Sequence, residues 1–382
     1  MPQPAKRPPF ECVALTLQGG GALGAYQAGV YEALAEAELH PDWVAGISIG
    51  SINAAIIAGN PPEARVEKLK GFWDTITSAP WFDAWNIFGR DVIGGDAGHK
   101  FIDQMAAGAA MAAGVKGFFR PRMPPPYLEA AGGPAATSFY DTAPLAGTLE
   151  RFVDFDRINA GETRLSVGAV NVGSGNFVYF DSTTQKLGPE HIMASGALPP
   201  GFPAIEIEGE HYWDGGLVSN TPLQWVLEFR PGPRQDTLVF EVDLWSARGR
   251  IPRTLMEVAT REKDIRFSSR TRDNTDRFED IQCLRHAIAR LVAELPPKLG
   301  ENESVKTLKK FADSKVYNIV HLIYRSRPYE GDSKDYEFSR LSMGEHWRSG
   351  YHDTMHTLQH PEVLERAGDG EKVTVFDFAA GD

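Results

Sequence analysis

Within its first sixty residues the chain twice passes from a short apolar run, through a glycine-bounded turn, into a small-residue helical pattern. Cys12-Val13-Ala14-Leu15-Thr16-Leu17 reads as a buried strand. It runs into Gly19-Gly20-Gly21-Ala22-Leu23-Gly24 and then a helix from Ala25 to Glu38, with Tyr26, Val30, Leu34 and Ala37 on one face. Trp43-Val44-Ala45 is a second strand, Gly46-Ile47-Ser48-Ile49-Gly50 the turn, and the helix after it ends near Gly59-Asn60-Pro61-Pro62. Two βα units in succession predict an α/β fold with a parallel sheet and helices on its faces.

Ser48 stands at the tip of the second turn, with Gly46 and Gly50 on either side. That is the shape of a nucleophile elbow, where the flanking residues must be small because the turn is strained and Cβ atoms would collide with neighbouring backbone. A helix N-cap serine is the plainer reading, and Ser51 is a competing nucleophile or cap. The first glycine run, taken alone, satisfies the dinucleotide pattern G-x-G-x-x-G, with Asp42 about 20 residues on. Asp42 precedes the second strand, however, whereas a ribose-binding acid belongs at that strand's C-terminal end. Beside a serine nucleophile, exposed N–H groups at a helix N-terminus serve a different chemistry, the stabilisation of an oxyanion.

A serine needs a base. Ten histidines invite a Ser-His-Asp triad, and His286, His321, His346, His352, His356 and His360 all follow Asp214. None has a motif around it, and most lie in charged or amphipathic helical text that reads as surface. Asp214 closes the strand His211-Tyr212-Trp213 and is followed by Gly215 and Gly216, which let a loop approach closely. Tyr212 and Trp213 are placed to desolvate its carboxylate, making it a direct base for a serine hydroxyl. An aspartate opening a glycine-rich turn is the ordinary alternative.

The remaining text supplies scaffold. Glu63 to Thr77 reads as a helix. Trp81, Phe82, Trp85, Phe88, the run Met105 to Val115, Phe118, Phe119 and the proline-rich stretch to Pro126 form either a lid or wall of an apolar cleft or, more ordinarily, core packing with a proline linker. Leu165 to Asn171 and Asn176 to Phe180 read as a hairpin, Glu190 to Ser195 as a short helix, and Asp236 to Leu244 and Val316 to Tyr324 as apolar strands. Arg253 to Leu295 carries a helical pattern with dense charge pairs, and Phe338 to Arg366 an amphipathic helix that breaks near Pro361. The 382 residues, 42% hydrophobic and 24% charged, are ordinary for a globular protein. A net charge of −12 argues against a nucleic-acid partner and against strong docking on anionic membranes. Cys12 and Cys283 imply neither a disulfide framework nor a cysteine metal site. With no signal-peptide pattern and no apolar run near the roughly 20 residues of a spanning helix, the expectation is a cytoplasmic protein with at most peripheral membrane contact.

Three motifs, in order, resemble the patatin-like phospholipase family: the glycine loop at 19–24, the elbow Gly46-Ile47-Ser48-Ile49-Gly50 and Asp214-Gly215-Gly216. Ala194-Ser195-Gly196-Ala197-Leu198-Pro199, Phe202-Pro203 and Asn220-Thr221-Pro222 also resemble the family's text, and the likeness spans about residues 10 to 245. The resemblance implies a three-layer α/β/α fold with a mainly parallel central sheet and a serine acyl-ester hydrolase working through a Ser-Asp dyad without histidine. It makes Ser48 the nucleophile, Asp214 the base and the backbone of Gly20, Gly21 and Ala22 the oxyanion donors. Gly19, Gly24, Gly46, Gly50, Gly215 and Gly216 then support the loops. It implies an acyl-ester or lipid substrate and neither metal nor organic cofactor. Leu23 stands where the family often has Arg or Lys, which favours a neutral ester over a phospholipid. Residues 10–250 are expected to form the catalytic domain, with 81–126 as a lid or insertion. Residues 251–382 are expected to pack on it as a mostly helical extension contributing a strand near 316–324; they resemble an extension found after patatin domains in bacterial proteins and carry no legible chemistry. Two alternatives remain: a non-catalytic acyl- or lipid-binding protein on the same fold, and a dinucleotide-binding protein.

Overall fold

The computed structural model describes residues 7–77, 96–228, 234–268, 271–327, 330–331, 333–366, 368 and 372–378, with backbone alone for 96–103 and 271–272. Trp81, Phe82, Trp85 and Phe88 lie outside the described residues.

The sheet grows outward from β1 (Cys12–Leu17), whose six residues are all buried. A strand apolar on both faces needs cover on both, and a parallel sheet between helix layers supplies it. β2 (Trp43–Ile47) pairs parallel on one side of β1, and β9 (Thr237–Asp243) parallel on the other. β10 (Tyr317–Ile323) pairs parallel with β9, and β11 (Val373–Phe376) parallel with β10. On the opposite flank β5 (Arg164–Asn171) pairs parallel with β2. β6 (Phe177–Asp181), β7 (Ile205–Ile207) and β8 (Glu210–Asp214) add antiparallel pairings beyond it. The order is β11-β10-β9-β1-β2-β5-β8-β7, with β6 also on β5, a nine-stranded and mainly parallel sheet among the described residues. Two-residue strands β3 (Arg120–Pro121) and β4 (Tyr140–Asp141) form a separate ribbon. The fold is the α/β class expected from the βα repeats.

Helix α1 (Ala25–Glu36) follows the glycine loop, and α2 (Ile49–Ala58) follows Ser48 with all ten residues buried. α3 (Pro62–Ile76) packs Leu69, Phe72, Trp73 and Ile76 inward. The tail helix runs over Arg340–Thr357 and breaks before Pro361, as the sequence suggested, with a separate short turn of helix at Pro361–Val363. The former crosses α1 at backbone distance: a Cβ on Gly29 would lie 1.9 Å from the Trp347 carbonyl oxygen, and one on Gly350 2.0 Å from that of Tyr26. Tyr26 and Tyr351 hydroxyls donate across this contact to Asp353 and Glu36, both at 2.7 Å.

Candidate active site

The parallel order at β1 and β2 puts two loops side by side at the C-terminal ends of these strands, the crevice where open α/β sheets bind ligands. One is the glycine loop, the other the turn at Ser48. Ser48 has φ 54° and ψ −124°, a left-handed conformation that costs a side-chain-bearing residue about 1–3 kcal/mol and is held by its surroundings. The flanking glycines explain how. A Cβ on Gly46 would fall 2.3 Å from the Gly50 carbonyl oxygen, and one on Gly50 2.2 Å from that of Leu17. The Ser48 N–H donates to Ser195 Oγ at 3.0 Å, and the Ser51 hydroxyl donates to the Ser48 carbonyl at 2.6 Å. Ser51 is fully buried, so of the two serines only Ser48 reaches the cavity.

Strand register delivers Asp214. Ile47 of β2 pairs with Gly168 of β5, and the next residue, Ala169, pairs with Asp214 at the end of antiparallel β8. The aspartate therefore arrives one pairing beyond Ile47, level with Ser48. Ser48 and Asp214 line the same cavity, close enough for the serine to lower the carboxyl's pKa, and the Gly216 N–H donates to Asp214 Oδ1 at 2.7 Å. Asp214 is 2% exposed. Burial raises its carboxyl from 3.8 to about 6, although Ser48 and the Gly216 hydrogen bond pull the other way. A carboxyl group poised there is largely ionised at neutral pH and still able to accept a proton.

The glycine loop is fixed from outside. Its Gly19 carbonyl accepts from Asn220 Nδ2 at 2.9 Å and from Trp245 Nε1 at 2.8 Å. The Gly20 and Gly21 N–H groups have no acceptor among the described residues, and Gly19, Gly20 and Gly21 line the same cavity as Ser48. Ala22, expected as a third oxyanion donor, is differently engaged: its N–H donates to the Asp335 carbonyl at 2.7 Å. Leu23 is fully buried in the core and does not line the cavity.

That cavity holds about 700 Å3. Its walls are mostly apolar, with Ile49, Ile52, Phe118, Phe119, Phe202 and Phe338 among them. Phe118, Phe119, Phe202 and Phe338 form one aromatic cluster with ring centroids 5.2–6.4 Å apart. Residues from 110 to 126 thus serve partly as cavity wall, while Phe118 and Phe119 are also core, so the two readings of that stretch are not exclusive. Arg122 is the only Lys or Arg in the wall among the described residues, its Nε donating to Ser138 at 3.0 Å.

Several sequence candidates fall elsewhere. Asp42 accepts from the Val13 backbone N–H at 2.8 Å, near the start of β1 and away from the glycine loop. None of the histidines with a described side chain lines the cavity. Contrary to the surface reading of the helical text, His286 and His346 are buried, His346 against Glu330 at 3.2 Å, while His321 of the apolar strand is buried against Glu241 at 2.7 Å. Cys12 is buried and Cys283 exposed, and no disulfide joins them. No group of metal-ligating side chains occurs among the described residues, and no described helix is long and apolar enough to cross a membrane.

A family model described as patatin-like phospholipase matches residues 15–226, more than half of the 382-residue chain. A second, described as patatin phospholipase, matches residues 265–369. The chain is 39% identical over 69 residues to the patatin-like phospholipase domain-containing protein ZK370.4 of Caenorhabditis elegans, a stretch that is 18% of this chain and 5% of that protein's length. VipD from Legionella pneumophila aligns with 91% of this chain and 67% of its own at 15% identity and a TM-score of 0.39. The type III effector ExoU of Pseudomonas aeruginosa aligns with 94% of this chain and 55% of its own at 13% identity and a TM-score of 0.32. The match over 15–226 takes in the glycine loop, the Ser48 turn and Asp214, and the chain belongs to the patatin-like phospholipase family.

Proposed function

We propose that this protein is a serine hydrolase of lipid acyl esters, with Ser48 as the acylated nucleophile and Asp214 as its base. The observation that carries the reading is Ser48, held in a left-handed turn beside the buried Asp214 carboxylate, itself raised to about 6, at the wall of an apolar cavity. Asp214 takes the hydroxyl proton as Ser48 Oγ attacks the ester carbonyl. The Gly20 and Gly21 N–H groups receive the negative charge on the carbonyl oxygen. Asp214 then protonates the departing alkoxide. In the second half a water gives its proton to Asp214, attacks the acyl-enzyme and releases the fatty acid, and Ser48 recovers its proton.

The cavity supports a long apolar acyl group. Leu23 is buried away from the cavity, so a substrate's headgroup meets no changed side chain there, and an anionic headgroup would find its countercharge in Arg122. We assign catalysis to residues 10–250 and treat 251–382 as an extension packed on them. Cys12 and Cys283, not joined in a disulfide, fit a cytoplasmic setting. Turnover of p-nitrophenyl acyl esters tests the reading: Ser48→Ala and Asp214→Asn are each expected to lose at least about a thousandfold in kcat. Retained turnover in either variant refutes the dyad.

A further inference from the structure

Asp335 lies far along the sequence from all three motifs, yet its backbone touches the glycine loop. Its carbonyl oxygen accepts the Ala22 N–H at 2.7 Å, and a Cβ on Gly21 would lie 2.0 Å from that same oxygen. The glycine at 21 is therefore required by the approach of residue 335 as well as by its φ of 55°. Asp335, Tyr336 and Phe338 all line the cavity that holds Ser48.

The contact is anchored. Asp335 Oδ1 is paired with Lys263 Nζ at 2.6 Å, and the neighbouring Lys334 with Asp264 Oδ1 at 2.7 Å, its side chain 2% exposed. Both ammonium groups lie over the Trp245 ring, at 5.9 and 4.8 Å from its centroid, and the Trp245 indole donates to the Gly19 carbonyl. The Trp245 indole thus holds the Gly19 end of the loop segment 19–22 and the Asp335 carbonyl the Ala22 end, with Lys263, Asp264 and Lys334 anchoring the segment that carries that carbonyl.

We propose that Asp335 is a positioning residue for catalysis: residues 333–338 clamp the glycine loop so that Gly20 and Gly21 present their N–H groups to the oxyanion. The clamp uses up the Ala22 N–H and leaves a two-donor hole. It gives the region matched at 265–369 a part in the site, which its sequence did not reveal. The inference rests on the hydrolase reading above.

Two anchoring variants and one rescue test it, with steady-state turnover of a p-nitrophenyl acyl ester. An oxyanion hole acts on the transition state, and a displacement of about 1 Å costs up to about a hundredfold. Lys263→Met and Asp335→Asn should lower kcat about 10- to 100-fold with KM within about threefold of wild type, and Lys263→Arg should restore most of kcat. Unchanged kcat, or a loss confined to KM, overturns the clamp; a raised kcat overturns it too, by showing the contact to be inhibitory. Hydrogen exchange at the Ala22 amide of the wild-type protein gives a readout independent of variant folding: slow exchange is expected, and exchange as fast as an open loop refutes the contact. A wild type inactive on acyl esters would end the hydrolase reading, whereas an active wild type with unaffected variants would end only the clamp.

Discussion

Asp214→Asn should make the protein more stable while removing its activity. The buried Asp214 carboxyl titrates at about 6 rather than 3.8. Because the folded-state value is the higher, the folded protein holds that proton more tightly than the unfolded chain does. The resulting stabilisation is complete below pH 3.8 and lost as pH rises through about 6. At about 1.4 kcal/mol per pH unit, keeping the group ionised at pH 8 costs the fold about 3 kcal/mol. Asn keeps an oxygen for the Gly216 N–H and has no charge to desolvate. With about 2.1 cal/mol/K of unfolding entropy per residue, about 3 kcal/mol corresponds to a rise in Tm of about 4 °C for a chain of 382 residues. Calorimetry of wild type and variant at pH 8 should show this gap, shrinking to about 1 °C at pH 4.5. A variant no more stable than wild type at pH 8, or a gap independent of pH, would refute the assignment of Asp214 as a strained buried base.

The same titration predicts that kcat/KM rises with pH and levels off, with a midpoint at about 6, because only ionised Asp214 accepts the Ser48 proton; a flat profile between pH 5 and 8 would contradict it. Ser48→Gly and Ser48→Ala both remove the hydroxyl, but only Gly relaxes the φ of 54°, so the Gly variant should be about 1 kcal/mol more stable in denaturant melts. Gly50→Ala should destabilise the fold by about 3 kcal/mol or more, since its Cβ would meet the Leu17 carbonyl oxygen at 2.2 Å; a normal melt would show that the elbow is less tight than described. Arg122→Ala should raise KM about tenfold for a phospholipid while leaving that for a neutral p-nitrophenyl ester unchanged. An equal effect on both substrates would remove Arg122 from headgroup recognition.

Local text carried the framework well. The βα repeats of the first sixty residues predicted a parallel sheet because hydrophobic periodicity and glycine turns are local signals, and β1 and β2 pair as such a sheet requires. Ser48 and Asp214 were legible because each closes a strand in a glycine-rich turn, and the register of β2, β5 and β8 then brings them together across the sheet. What escaped were contacts made by backbone atoms and by long-range packing. Nothing in the letters around Asp335 signals that its carbonyl occupies the Ala22 N–H, because any residue type has that carbonyl. Ser195 and Asn220 stood inside recognised text, yet their bonds to the Ser48 N–H and the Gly19 carbonyl depend on the tertiary fold. The histidines misled in the opposite sense: helical and charged surroundings suggested surface, while His286 and His346 are buried, His346 against Glu330.

The central claim is that Ser48 is a nucleophile activated by Asp214, and covalent labelling tests it most directly. Wild-type protein treated with an alkyl fluorophosphonate and digested for mass spectrometry should carry one phosphonyl group, on Ser48, with labelling abolished in Ser48→Ala and slowed at least about a hundredfold in Asp214→Asn. Labelling at another residue, or at an undiminished rate without the Asp214 carboxylate, would contradict it.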